Sequence, residues 1–182
     1  MTVAPVFPKP HITIAFLQAR GGEPWLSALH LNADGTKGVF ETQAFPNADA
    51  AGPWISARPN ANIYYSVNPA MPGAPRDKKV DREHVAKVRS LHVDLDPRQG
   101  EDQDAAQARI YETLNSYQPQ PTWIICSGGG MQGIWDLKPE DHIVINGDVA
   151  KAEDAKLYNL QLERDLGGDH CHNIDRVLLA RP

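Results

Sequence analysis

Two aspartates placed two residues apart in an apolar segment are the side chains of this sequence best suited to chemistry. Within residues 90–97, strand alternation would send Val93 and Leu95 to one face and Asp94 and Asp96 to the other. Residues two apart on a strand are separated by roughly 6.6 Å, so both carboxylates can reach one or two hard cations. Aspartate is uncommon in strands, and a bound metal would explain the pair. Sugar-nucleotide transfer, phosphoryl transfer and a merely solvated strand edge all remain open for the pair alone.

A third acid and an arginine belong to the last apolar segment. Asp175 lies within residues 173–179, which repeats the pattern of an acid inside an otherwise apolar strand. Arg181 follows at an even separation, which places both side chains on one face of a strand. We expect Asp175 to join the first two aspartates in a metal-binding group, and Arg181 to meet phosphate oxygens.

A glycine-rich turn lies between the two acidic segments. Residues 127–133 read Ser-Gly-Gly-Gly-Met-Gln-Gly between two strand-like runs. The spacing matches G-x-G-x-x-G formally, but a dinucleotide site needs a helix to begin at this loop, and Pro139 prevents a long helix. The residues therefore favour a strand, turn, strand unit whose bare backbone approaches a ligand, with Ser127 and Gln132 as hydrogen-bonding groups. A plain flexible hairpin is the alternative.

Periodicity and turn signals predict the elements that would position these residues. In chain order they are a hairpin of residues 26–31 and 36–42, a loop at 46–59, a strand at 62–68, a short helix near 81–87, a helix at 102–117, a strand at 122–126, a helix at 148–166 and a strand at 173–179. Asp148 and Gly167 stand where the N-cap and C-cap of the last helix belong. Residues 11–19 form an apolar segment that is not assigned to helix or strand. The order of elements suits an α+β protein in which helices cover one face of an antiparallel sheet.

Composition describes an ordinary globular protein. Of its 182 residues, 41% are hydrophobic and 23% are charged. The segment 69–79, rich in proline and glycine, predicts a division into a smaller N-terminal α/β lobe at 1–75 and a catalytic lobe at 76–182 within one compact domain. A net charge of −5 argues against indiscriminate binding of nucleic acid but leaves a local groove open. Two cysteines, without a signal-peptide pattern or a membrane-length apolar run, predict a cytoplasmic protein with no membrane partner.

Four segments, taken jointly and in order, resemble the archaeo-eukaryotic primase superfamily, in particular the primase-polymerase domains of plasmid, phage and integrated-element replication proteins. They are Asn62-Ile-Tyr-Tyr-Ser-Val-Asn-Pro69, His92-Val-Asp-Leu-Asp-Pro97, Ser127-Gly-Gly-Gly-Met-Gln-Gly-Ile-Trp135 and Ile174-Asp-Arg-Val-Leu-Leu179. Gln132 stands where the superfamily usually carries a histidine, and the chain ends at Arg181-Pro182, where the family's last motif commonly continues. We expect the domain to be excised from a longer protein.

The resemblance implies an RRM-like catalytic sheet and a nucleotidyltransferase that joins nucleoside triphosphates on a DNA template. It implies that Asp94, Asp96 and Asp175 hold two Mg²⁺ or Mn²⁺ ions, the arrangement that phosphoryl transfer requires. It also implies that the hairpin contacts the incoming nucleotide; together with Arg181, the nucleotide-binding residues would be Ser127, Gly129, Gly130 and Gln132. The implied partners are a single-stranded DNA template, nucleoside triphosphates and a helicase domain or protein.

Three alternatives remain. His170-Cys-His172 is similar to the His-x-His metal motif of a rolling-circle nickase, although no tyrosine follows it and Tyr158 lies upstream. The same three residues with Cys126 are a further candidate for a structural zinc site, without the paired thiols of zinc spacing. A non-catalytic nucleic-acid-binding module is the last alternative, and replacing the acids would separate it from an enzyme.

Overall fold

The computed structural model describes residues 10–32 and 36–180 and shows a mixed α+β protein, as the sequence predicts. The α-helices described there are α1 (Pro10–Arg20), α2 (Ala48–Ser56), α3 (Gln103–Ser116) and α4 (Val149–Leu166). The strands are β1 (Trp25–Leu31), β2 (Lys37–Ala44), β3 (Ala61–Ser66), β4 (Lys87–Val88), β5 (Ser90–Leu95), β6 (Trp123–Cys126), β7 (Met131–Asp136), β8 (Ile143–Val144) and β9 (Val177–Leu179). Every strand pairing between these strands is antiparallel. None of the described helices combines the length and apolar character needed to cross a membrane.

The chain separates into two compact units that are not divided by a single cut. Of the described residues, the first unit contains 10–32, 36–66, 75–79 and 177–180, and the second contains 67–74 and 80–176. The sequence predicted a boundary at residue 75. In the structure, the short segment after that residue and the final strand both belong to the first unit.

The first unit is built on a four-stranded sheet with the order β2-β1-β3-β9. The predicted hairpin is confirmed as the antiparallel pair β1 and β2, while residues 33–35 of its turn lie outside the described residues. On β3, alternate side chains are buried, and Tyr65 packs edge-on against Phe16 of α1 with ring centroids 5.2 Å apart. This contact places α1 against the sheet.

Residues 46–59 were predicted as a loop, and this is wrong, because α2 occupies most of the segment. Asn47 accepts a hydrogen bond from the Ala50 N–H and so caps the helix. Pro53 lies inside the helix and removes one backbone donor. Ile55 is only 1% exposed, and its burial helps to offset that loss. The unassigned segment 11–19 likewise proves to be helical, in α1.

The second unit contains a three-stranded sheet with the order β5-β7-β6, in which α3 connects β5 to β6 along the chain. The two long helices are confirmed, with Asp102 capping α3 and Asp148 and Gly167 capping α4. One face of the sheet is apolar and packs against both helices; the buried cluster consists of Val93, Leu95, Ile110, Leu114, Trp135 and Leu162. The opposite face of β5 therefore carries its polar side chains.

The outer backbone edge of β5 is covered by α4 and by the loop that follows it. The Asn159 side chain accepts a hydrogen bond from the His92 N–H at 3.0 Å and donates to the His172 carbonyl at 3.1 Å. Further along, the Asp169 N–H donates to the Asp94 carbonyl at 2.9 Å. A Cβ atom on Gly168 would lie 2.4 Å from a Val93 methyl group, so the loop approaches the strand too closely for any other residue.

The last strand is shorter than predicted and lies in the other sheet. It begins at Val177 instead of residue 173, and it pairs with β3. The predicted arrangement, in which acids come from neighbouring strands of one RRM-like sheet, is therefore wrong for Asp175, which lies in a turn before β9. The sheet that contains β5 therefore has three strands, in the order β5-β7-β6, and no fourth strand joins it in the described residues.

We expect Asn159→Ala to lower the free energy of unfolding by about 2–4 kcal/mol, because the change removes the acceptor of a buried backbone N–H and the donor to a carbonyl. Urea unfolding measures this loss. Asn115→Ala is the matched control: its side chain is exposed on α3, and the change should stay within about 0.5 kcal/mol. Equal effects of the two substitutions would contradict the role given to Asn159.

Candidate active site

Asp94 and Gln132 lie directly opposite each other on β5 and β7. Such residues share one face of the sheet with Cβ atoms about 4.5–5.5 Å apart, and the Gln132 amide favours the charged form of the Asp94 carboxylate. Gln132 is 3% exposed. Within the described part of the chain, Asp94 Oδ1 and Gln132 Oε1 are both buried without a hydrogen-bond partner. Two neighbouring oxygen atoms without protein donors form a surface that a cation or an ordered water would satisfy.

The Asp94 carboxyl group is held in an environment that disfavours its charged form. Burial raises its pKa from an ordinary 3.8 to about 6, and the neighbouring Asp96 carboxylate adds to the rise. The Gln132 amide and the positive charge of Arg176 act in the opposite direction, while Asp169 raises the pKa further. A divalent cation at this carboxylate would offset both the cost of burying its negative charge and the repulsion from Asp96.

The glycine hairpin brings bare backbone against the end of β5. The Ser127 N–H donates to the Gly130 carbonyl at 3.0 Å and closes the turn. A Cβ atom on Gly130 would lie 2.1 Å from the Leu95 carbonyl oxygen and 2.7 Å from Asp96 Oδ1, so glycine alone fits there. Gly129 is exposed, and a Cβ atom on it would meet nothing within 4 Å beyond its chain neighbours. The turn therefore has one buried side against Leu95 and Asp96 and one open side.

Two glutamines of α3 hold this turn in place. The Gln103 and Gln107 amides donate to the Gly128 carbonyl at 2.8 and 3.1 Å. They fix the hairpin to the first two turns of the helix that packs under the sheet. The hairpin, for which a plain flexible turn was the alternative, is therefore anchored at the Gly128 carbonyl.

The structure does not place Asp175 in a group of three with Asp94 and Asp96. Asp175 lies in a turn that the Arg176 N–H closes by donating to the Asn173 carbonyl at 3.1 Å. It lines a small depression together with Arg82, Glu153 and Lys156. Arg181, the predicted phosphate ligand, lies outside the described residues.

Among the described residues, one group of three ligand-type side chains has all its donor atoms within 4.8 Å of one another, and it consists of Glu163, His170 and His172. The three aspartates predicted as metal ligands do not meet that spacing. Asp94 and Asp96 are close enough to interact electrostatically. Their role as ligands, and that of Asp175, stays a prediction.

Sequence reasoning missed the charged residues near Asp94 and the glutamines that hold the glycine turn. Arg176 directly follows Asp175 in the sequence, and this adjacency could have marked it as a counter-charge. Gln103 and Gln107 occupy the first turns of a correctly predicted helix, but nothing in their spacing indicates a hydrogen bond to a distant loop. Asp169 stands just after a predicted helix end, and the sequence of a loop does not indicate which distant residue it will lie near.

Comparison of the chain with protein-family models, with curated proteins and with solved structures finds no match. The resemblance to the primase superfamily therefore rests on the sequence motifs alone.

The raised pKa of Asp94 predicts a stability that falls as the pH rises. Between about pH 4 and pH 6, the folded protein keeps a proton that the unfolded chain releases, so the contribution of this group declines through that window, by about 3 kcal/mol at most. We compare the free energies of unfolding of Asp94→Asn and the wild type, measured in urea with a chelator present. As the pH rises through this window, we expect the value for the variant minus that for the wild type to increase by up to this amount.

Asp104→Asn is the matched control for this measurement, because Asp104 is exposed on α3. Its difference from the wild type should not change across the same window. If the difference between Asp94→Asn and the wild type is also constant with pH, Asp94 has an ordinary pKa and is not a strained acid.

Proposed function

We propose that this protein is a nucleotidyltransferase domain of the primase-polymerase type, which joins nucleoside triphosphates on a DNA template. The observation that supports it best is the pair of partnerless buried oxygens of Asp94 and Gln132, beside a second carboxylate and the backbone of a glycine turn. A buried carboxylate with a raised pKa among other polar groups is typical of a functional residue. The motif order of the sequence supplies the reaction class.

The residues present fit a hard divalent cation at Asp94 and Asp96. Carboxylate and amide oxygens are the ligands that Mg²⁺ and Mn²⁺ prefer, and Asp94 Oδ1 and Gln132 Oε1 are such oxygens without a protein donor in the described chain. When bound, such ions lower the pKa of an attacking hydroxyl and neutralise a triphosphate. Two ions held by three aspartates remain the arrangement that the sequence predicts.

The chain's own residues would act by positioning. Gln132 faces the Asp94 carboxylate across the two strands and would orient it, and the covered outer edge of β5 keeps that strand in register. The open side of the turn at Gly129 leaves room for a ligand to approach the backbone closely. Arg176 supplies a positive charge near Asp94, suited to a phosphate oxygen.

The proposed partners are a single-stranded DNA template, nucleoside triphosphates and a helicase domain or protein. An acidic domain can act on nucleic acid because bound metal ions reverse the local charge. Replication of a plasmid, phage or mobile element would place the activity in the cytoplasm, and this location is part of the proposal.

The test is metal-dependent primer synthesis or extension from labelled nucleoside triphosphates on single-stranded DNA, with Mg²⁺ or Mn²⁺. We expect wild-type activity and at least a hundredfold loss in Asp94→Asn, because that change removes one anionic ligand while keeping the size of the side chain. Asp104→Asn should keep the wild-type rate. Equal rates of synthesis for the wild type and Asp94→Asn would contradict the proposal. If both proteins bind the template and neither synthesises a product, a non-catalytic nucleic-acid-binding module is favoured.

The position of Gln132 predicts an effect on the metal requirement. Loss of a hydrogen bond to a charged group costs about 1.5–3 kcal/mol, so Gln132→Ala should raise the metal concentration for half-maximal activity by roughly tenfold or more. Gln161→Ala, an exposed glutamine on α4, is the control and should leave it unchanged. If instead the nucleotide KM rises and the metal requirement does not, Gln132 contacts the nucleotide directly, as the sequence suggested, and does not position Asp94.

A further inference from the structure

A second cluster of potential ligands lies at the C-terminal end of α4, and the proposed nucleotidyl transfer does not use it. It consists of Glu163 in the last turns of the helix and of His170 and His172 in the following loop. Glu163 is 5% exposed, His172 is partly buried and His170 is exposed. The cluster therefore has a buried carboxylate at its base and an imidazole open to solvent.

Backbone contacts fix the loop so that both histidines turn toward the carboxylate. The Cys171 N–H donates to Glu163 Oε1 at 2.6 Å, and the Gly168 N–H donates to the Glu163 carbonyl at 2.9 Å. The Asn159 amide holds the His172 carbonyl. His172 Nδ1 consequently lies 3.0 Å from Glu163 Oε2 and 3.1 Å from Oε1.

The distances suit a small metal ion. With bonds of about 2.1 Å to nitrogen and oxygen, the ligands of a tetrahedral ion are roughly 3.4 Å apart. The Glu163 and His172 atoms lie 3.0 Å apart, slightly closer than that spacing, and all three donors lie within 4.8 Å of one another. A simple ion pair would account for Glu163 and His172, but it would not account for the donor atom of His170, which lies within 4.8 Å of both.

We infer that Glu163, His170 and His172 form a binding site for a transition-metal ion of the zinc class, with one coordination position left open. Two imidazoles and one carboxylate are a ligand set found at open zinc sites. Imidazole nitrogens favour Zn²⁺ over the Mg²⁺ or Mn²⁺ expected at Asp94. Neither cysteine takes part, so this site differs from the cysteine-containing one considered from the sequence.

The bound ion would clamp the loop that covers β5. The same loop donates from the Asp169 N–H to the Asp94 carbonyl, and its Cys171 carbonyl lies 2.8 Å from His92 Nε2. Zinc binding should therefore slow amide hydrogen exchange in residues 168–172 and raise the melting temperature of the protein. The inference does not depend on the proposed polymerase activity.

The test is a titration of the tag-free 182-residue protein, stripped with a chelator, with Zn²⁺ in competition with a chromogenic chelator, and with Co²⁺ followed by visible absorption. We expect one equivalent to bind. His170→Ala and His172→Ala should each weaken Zn²⁺ binding by more than the roughly 10–100-fold that loss of an outer-shell partner causes. Glu163→Gln, which retains an acceptor for the Cys171 N–H, should weaken it at least tenfold.

Three matched variants serve as controls. His142→Ala removes a histidine outside the cluster, Cys126→Ser removes the exposed thiol, and Asp94→Asn removes the proposed hard-metal ligand; all should bind Zn²⁺ as the wild type does. Because His170 is exposed, His170→Ala keeps the fold even if Glu163→Gln does not, and metal-free melting checks this. The inference is overturned if the wild type binds no Zn²⁺ at equimolar concentration, or if His170→Ala binds it unchanged.

Discussion

The outer backbone edge of β5 is the constraint on which the rest of the second unit depends. An edge strand buried under other elements must have its N–H and carbonyl groups satisfied, because an unpaired buried polar group is costly. Within the described residues, the side chain of Asn159 and the backbone of Asp169 take the place of a further strand as partners. Helix α4 and the loop after it are therefore hydrogen-bonded to β5, the strand that carries Asp94.

The burial of Asp94 works against stability in the metal-free protein. Its carboxylate is desolvated and lies near Asp96 and Asp169, while Gln132 and Arg176 oppose these effects. An acid that served stability alone would be better placed in solvent or replaced by an apolar residue. Retaining it is typical of a site whose ligand provides the missing charge, at the expense of some folding free energy.

Much of the fold could be predicted from local sequence, and less of the site. The helical period and the caps at Asp102, Asp148 and Gly167 are local signals, and so is the β1–β2 hairpin. The helix at 48–56 was missed because Pro53 signals a break locally, whereas the burial of Ile55 depends on the tertiary fold. Asp175 was misplaced for a similar reason, since the true partner of the last strand is a long-range choice that alternation cannot reveal. The contacts of Arg176 and Gln103 are equally non-local.

The path of the chain between the two units has a consequence for how the domain can be divided. The chain passes from one unit to the other four times, after residues 66, 74, 79 and 176. A fragment ending at residue 75 would contain β3 without β9, its antiparallel neighbour, and would expose a strand edge that invites aggregation. Neither unit can therefore be exchanged between proteins as one continuous segment. A recombinant that keeps the first unit intact must take the N-terminal part of this chain together with its last strand.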